Sequence, residues 1–213
     1  MFEVSNVEPQ ITRVYDDYKF NDYGYVWRKV FVVDDFYKNP DEVRDLALSS
    51  ELKSELKYTG ALVGKRVVEE SEDLITNLKP VFSKLCQHEQ WRNLEWDENH
   101  FNEIWDKMKF MVNVTTDEEV KSIKGHVFHK DNTKYKWAAV VYLNKDGEVG
   151  GGTEFYRWKE DEPSENWKEH TPEHTCEMKY NRMVLYEARH THGAILEEGK
   201  IKDIPRLTQV FFM

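Results

Sequence analysis

The segment His129-Lys130-Asp131 sets an imidazole and a carboxylate two positions apart. On an extended backbone such residues point to one face, so a ring nitrogen and a carboxylate oxygen can meet a single ion. Two ligands seldom hold a metal, and a third has to come from elsewhere in the chain. His190 and His192, in the run Tyr186-Glu187-Ala188-Arg189-His190-Thr191-His192-Gly193, are the candidates. Two histidines and one carboxylate on one face of an octahedron suit ferrous iron and leave three positions open to a co-substrate and O2. By itself His-x-Asp is a common chance pairing, and most such pairs are polar surface residues.

A second group changes the weight of the first. Fourteen residues after His192 comes Arg206-Leu207-Thr208, opening an apolar run to Phe212. Strand parity puts Arg206 and Thr208 on one face and Leu207 and Gln209 on the other. A guanidinium turned into a barrel is costly unless it meets an anion. With a hydroxyl beside it, its bidentate fork fits the distal carboxylate of a dicarboxylic acid. The bland alternative is a rim arginine paired with one of the chain's many acids. A third group, His170, His174 and Cys176, has metal-ligand residue types, but Pro172 between the histidines argues against a regular helix. A solvated loop is the expectation there.

These residues need elements to hold them. Tyr25 to Val33 reads as a strand. Asn39-Pro40-Asp41-Glu42 then announces a helix, with Asn39 as N-cap and Pro40 at the first helical position, running to about Ser50. A second helix is expected over Ser71 to Gln90, since Leu74, Leu78, Val81, Phe82 and Leu85 repeat at helical spacing. Beyond Trp105 the pattern turns to short strands: Lys109–Val114, Trp137–Leu143, Gly152–Tyr156, Arg182–Glu187, Ala194–Glu197 and Leu207–Phe212, separated by Gly, Asn, Asp and Pro clusters. That spacing predicts a mainly β fold with flanking helices and a sandwich or jelly-roll core. Trp158 to Thr175, charged and carrying two prolines, is expected to be a surface excursion, with Trp158 and Trp167 packing it on the barrel or closing it as a lid.

Composition sets the outer limits. With 40 acidic residues against 30 Lys and Arg, the net charge is -10. That argues against a nucleic-acid partner, because phosphate-backbone affinity comes from basic side chains. An acidic surface serves solubility first. Aromatics make up 14 % of residues, which speaks for a packed core despite the polar average. The length suits one domain, 1–213, with an α/β flank to about residue 105 and a β core after it. Cys86 and Cys176 are expected to be free thiols. The first ten residues carry no secretory signal and no stretch is long enough for a membrane span, so a cytoplasmic protein is expected.

The residues Gly125-His126-Val127-Phe128-His129-Lys130-Asp131-Asn132, Ala139-Val140-Val141-Tyr142-Leu143-Asn144, Gly151-Gly152-Thr153-Glu154-Phe155, Asn181-Arg182-Met183-Val184-Leu185-Tyr186, His192 and Arg206 to Phe212 together resemble the core of Fe(II)/2-oxoglutarate-dependent dioxygenases. The prolyl-hydroxylase-like branch is the nearest in pattern, and the resemblance covers the C-terminal half. It implies a double-stranded β-helix (jelly roll, cupin-like) core and an oxidoreductase that uses Fe(II), 2-oxoglutarate and O2. It also implies hydroxylation of an aliphatic C–H in a small-molecule or peptidyl substrate such as proline, with release of succinate and CO2. His129, Asp131 and His192 would be the metal ligands, His192 being favoured over His190 by its spacing from Leu185-Tyr186. Arg206, Thr208 and Tyr142 would hold the far carboxylate of 2-oxoglutarate. Gly151-Gly152 would form the tight turn before the next strand. His126 falls where that branch often has a pocket-lining tyrosine, so it is a possible pocket residue. His190 would be a loop histidine near the site mouth. The alternatives are a catalytically silent β-barrel binding module and a metal-dependent hydrolase in the same pocket, and Arg206 argues against the latter.

Overall fold

The computed structural model describes residues 1–5, 8–16, 26–55, 65–91, 94–122, 128–157 and 171–213. His126 and the stretch 158–170 lie outside the described residues. The chain opens with the antiparallel pair β1 (Gln10–Asp16) and β2 (Val26–Val33). Helix α1 (Pro40–Ser49) follows, then the pair β3 (Leu52–Glu55) and β4 (Lys65–Glu69). Helices α2 (Glu72–Cys86) and α3 (Glu98–Trp105) complete this half. The second half runs β5 (Phe110–Thr115), α4 (Asp117–Ser122), β6 (Phe128–His129), β7 (Trp137–Tyr142), β8 (Gly152–Phe155), β9 (His174–Glu177), β10 (Met183–Glu187), β11 (His192–Ile195) and β12 (Arg206–Phe212).

All pairings are antiparallel, and the strands form two sheets. The larger has the order β1-β2-β10-β7-β12-β5-β4-β3, and the smaller β6-β11-β8-β9. From β5 to β12 the chain passes back and forth between them, so that β10-β7-β12-β5 face β6-β11-β8-β9. Two four-stranded antiparallel sheets wound this way are a double-stranded β-helix, or jelly roll. The N-terminal half extends the larger sheet at both edges, β1-β2 beside β10 and β4-β3 beside β5.

The central strands are buried on both faces, which is why they read as continuous apolar runs rather than alternating ones. In β7, Trp137, Ala139 and Val141 belong to one core, while Ala138, Val140 and Tyr142 belong to another. The first core lies outside the barrel, between the larger sheet and helices α1 to α3. There Phe82 meets Phe36, Trp105 and Phe211 at centroid distances of 5.9, 5.4 and 4.9 Å. The second core lines the barrel interior with Val30, Val184, Tyr186, Phe155 and Val210.

Local signals account for several boundaries. Ser71 caps α2 by accepting from the Leu74 N–H at 3.2 Å, a standard N-cap bond. Asn39 occupies the N-cap of α1 without a side-chain cap bond, so Pro40 and the acidic first turn mark that start instead. Gly151 and Gly152 adopt positive φ of 120° and 152°. A Cβ on Gly152 would sit 2.1 Å from the Cys176 carbonyl oxygen, so only glycine fits where β8 meets β9. Two sequence expectations need correcting. The strand expected at Ala194–Glu197 begins earlier, at His192. The excursion expected to run to Thr175 gives way at His174 to β9, which pairs with β8 and buries Cys176. Its short, polar-apolar sequence, following Pro172, carries too little pattern to announce an edge strand.

Candidate metal and anion site

The first contacts of the site come from strand register. His192 on β11 lies directly opposite His129 on β6, and their rings are 4.4 Å apart. Asp131 follows just past β6, where its backbone N–H donates to the Ala188 carbonyl at 2.8 Å. That bond holds its carboxylate against both imidazoles. Oδ1 is 3.5 Å from His129 Nε2 and Oδ2 is 3.7 Å from His192 Nε2, too far for hydrogen bonds. One ligand atom from each of the three residues lies within 4.8 Å of the others, and among the described residues no further His, Cys, Asp or Glu group meets that condition.

The tautomer of His192 follows from its neighbours. Nδ1 lies 2.8 Å from the His190 carbonyl oxygen. A carbonyl only accepts, so Nδ1 carries the proton and Nε2 presents a lone pair to the cluster. The Tyr186 hydroxyl, 3.0 Å away, donates to that lone pair. Burial pushes the His192 imidazole down to about 4, opposed in part by Asp131, so the ring is neutral at pH 7. Asp131 Oδ2 and His129 Nδ1 are buried without hydrogen-bond partners. A neutral imidazole with an inward lone pair, a second imidazole and an under-satisfied carboxylate form a donor set suited to a divalent transition metal.

Neighbouring strands of the larger sheet supply the anion half. Arg206 and Thr208 share the inner face of β12, as parity predicts, and Thr208 lies opposite Tyr142 on β7. Arg206 is only 5 % exposed and takes part in no ion pair among the described residues. The alternative of a rim arginine paired with an acid therefore does not hold among the described residues. Its Nη2 donates to the Gly152 carbonyl at 3.3 Å, while its Nε and the Thr208 hydroxyl are buried without partners. Burial lowers the guanidinium pKa and pushes the Tyr142 phenol up to about 12. Tyr142 Oη lies 2.7 Å from the Thr153 hydroxyl on β8. The outcome is a desolvated cation on a barrel face shared with Thr208 and near the Tyr142 ring, whose hydroxyl meets Thr153.

The other candidates are placed as follows. His190 is completely buried in the turn between β10 and β11, against Phe155 at 5.0 Å. It is not at an exposed mouth. Both of its ring nitrogens lack partners, and it stays outside the three-residue group. His174 and Cys176 sit on β9 with Nε2 and Sγ 3.4 Å apart. Both cysteines are free and buried. Tyr186 and Thr153 are site neighbours that sequence reasoning missed. Parity would have put Tyr186 on the same strand face as Val184, but nothing local marks that face as the inner one.

No protein-family profile matches the sequence, and no curated protein does. Solved structures resemble it in fold at low identity. One is a Pseudomonas putida prolyl-4-hydroxylase, at 14 % identity over 86 % of this chain and 91 % of that one, with a TM-score of 0.47. Another is the non-haem α-ketoglutarate-dependent epimerase of nogalamycin biosynthesis, at 16 % identity over 85 % and 76 %, TM-score 0.45. A third is a 2OG-Fe(II) oxygenase family oxidoreductase from Burkholderia pseudomallei, at 10 % identity over 86 % and 82 %, TM-score 0.43. The jelly-roll assignment rests on the strand order of this chain itself. No helix among the described residues is long and apolar enough to cross a membrane.

Proposed function

We propose that this chain is an Fe(II)- and 2-oxoglutarate-dependent oxygenase. The observation that carries the proposal is a two-part site within one barrel. A His-Asp-His group is held on the β6–β11 side, and a buried arginine with no acid partner among the described residues stands on β12. His129, Asp131 and His192 would hold the metal, and Arg206, Thr208 and Tyr142 the far carboxylate of 2-oxoglutarate. Bound there, iron and 2-oxoglutarate would activate O2 for oxidation of an aliphatic C–H, with succinate and CO2 as co-products.

The chain's own residues do the positioning. The His190 carbonyl fixes the His192 tautomer, and the Ala188 carbonyl fixes Asp131. Arg206 offers charge-assisted, bidentate bonds to a carboxylate that would compensate its desolvation. Phe155, Val184 and Val210 give the barrel interior apolar walls. A hydrolase in this pocket would have no use for such an arginine. Hydroxylation is the outcome we favour, of an amino-acid or peptidyl substrate such as proline, in keeping with the sequence pattern around Tyr142 and His129.

Anaerobic addition of Fe(II) and 2-oxoglutarate should give the weak visible charge-transfer band of a chelated 2-oxo acid, and admission of O2 should yield succinate. His192→Ala should abolish the band, with metal affinity reduced by about 100-fold or more, beyond what loss of a ligand's supporting partner brings. His190→Ala should retain it. Absence of both band and succinate in the native protein would refute the proposal. Loss of the band in His190→Ala alone would reverse the ligand assignment.

A further inference from the structure

Arg28 and Glu187 form an ion pair that is almost wholly shielded from water, their side chains 10 % and 3 % exposed. Arg28 stands on β2, outside the eight strands of the jelly roll. Glu187 closes β10 and begins the turn that leads to β11. Its carbonyl accepts the His190 N–H at 2.8 Å, which closes that turn. The turn's Ala188 N–H donates to the Lys136 carbonyl at 3.0 Å, and its Ala188 carbonyl accepts the Asp131 N–H at 2.8 Å. Two residues further along, the His190 carbonyl takes the Nδ1 proton of His192. Two of the three clustered residues are thus oriented by backbone groups of one four-residue turn, and the first residue of that turn is gripped from the flanking hairpin.

A buried ion pair is a poor source of stability, since well-packed apolar residues of similar volume do as well or better. What such a pair does supply is direction. The guanidinium fork fixes where the carboxylate sits and with it the start of the turn. We propose that Arg28 and Glu187 are positioning residues for the metal site, by which the N-terminal hairpin β1–β2 sets the orientation of Asp131 and His192. This rests on the metal-site reading above.

The opposite end of β10 offers an internal control. There Arg182, just before the strand, pairs with Asp34 at 2.6 Å, their side chains 21 % and 27 % exposed, with no bond to a member of the cluster. The test is cobalt(II) binding to the full chain, followed by its d–d absorption bands, which respond to ligand number and angle. Thermal unfolding is recorded for each variant. Glu187→Gln should weaken cobalt(II) binding about tenfold, in the range seen when a ligand's supporting partner is lost, and should shift the bands. The double variant Arg28→Met with Glu187→Met should unfold no lower than the native protein and still bind cobalt(II) weakly. Asp34→Asn should lower the unfolding temperature while leaving affinity and bands unchanged. Native affinity and bands in the double variant would overturn the inference, as would an Asp34→Asn effect of the same size. A native protein that binds no cobalt(II) would remove the metal-site reading itself, and this inference with it.

Discussion

The larger sheet offers two faces built from the same strands. On the outer face Val141, Leu185, Leu207 and Phe211 belong to the core shared with α2 and α3. Among the described residues the buried atoms of that side left without partners are mostly neutral N–H groups, the indoles of Trp105 and Trp137 and the Gln209 amide, with the Nε of Arg44, whose guanidinium is paired with Glu148. Inside the barrel, Val140, Val184 and Val210 make an equally apolar wall. There the unpartnered atoms among the described residues belong to the Arg206 guanidinium, the Asp131 carboxylate, the His129 and His190 imidazoles and the Thr208 hydroxyl. An unmet neutral donor costs roughly 1–3 kcal/mol, and a desolvated charge costs several times that unless something pairs it. The outer face is therefore organised for stability. The inner face carries polar and charged groups that a bound ion or anion would satisfy.

Substitutions that separate the two faces give the strongest tests. Phe82→Ala on the outer side, where the ring is fully buried among Phe36, Trp105 and Phe211, should lower unfolding free energy by about 3–5 kcal/mol. Metal affinity of the fraction that remains folded should be unchanged, as measured by denaturant unfolding alongside cobalt(II) titration. A large affinity change would mean that the two faces are not separable.

The metal-free protein should also lose stability in mild acid, and the loss should come from the inner face. The His192 imidazole is held at about 4 against an ordinary 6.5 by burial, and burial lowers His190 in the same direction. The unfolded chain takes up protons that the folded one resists, so this contribution is complete above pH 6.5 and falls away as the pH drops toward 4. For His192 the shift corresponds to about 3 kcal/mol. Asp34, held at about 2 by Arg182, loses its contribution only below the ordinary carboxylate range, so the two windows are distinct. A flat unfolding profile between pH 7 and pH 4.5 would contradict the buried neutral histidine.

Arg206→Met is the subtlest of these substitutions because its two effects oppose. Removing a buried cation that has no acid partner among the described residues should leave the unfolding temperature of the free protein unchanged or raise it. Affinity for 2-oxoglutarate should fall by about 1.5–3 kcal/mol, the worth of bonds to a charged group, read from the charge-transfer band. A drop in stability without loss of 2-oxoglutarate binding would make Arg206 a structural residue.

Much of this contrast was already written in the residues. The helical spacing of Leu74, Leu78, Phe82 and Leu85, the apolar runs of β7, β10 and β12, and the parity of Arg206 and Thr208 all follow from local periodicity, which the backbone obeys wherever the strand lies. His129 and Asp131 were legible as a pair for the same reason. What the sequence left open was every relation between distant segments. The choice between His190 and His192 depends on which of them stands across from His129, and ladder register decides that. The inner identity of Tyr186, the Thr153 hydroxyl beside Tyr142, and the grip of Arg28 on Glu187 depend on how the strands are ordered and the sheets face each other, which brings together residues 11 to 159 positions apart. Periodicity says which side chains share a face. Only the winding of two sheets into a barrel says which face is the inside.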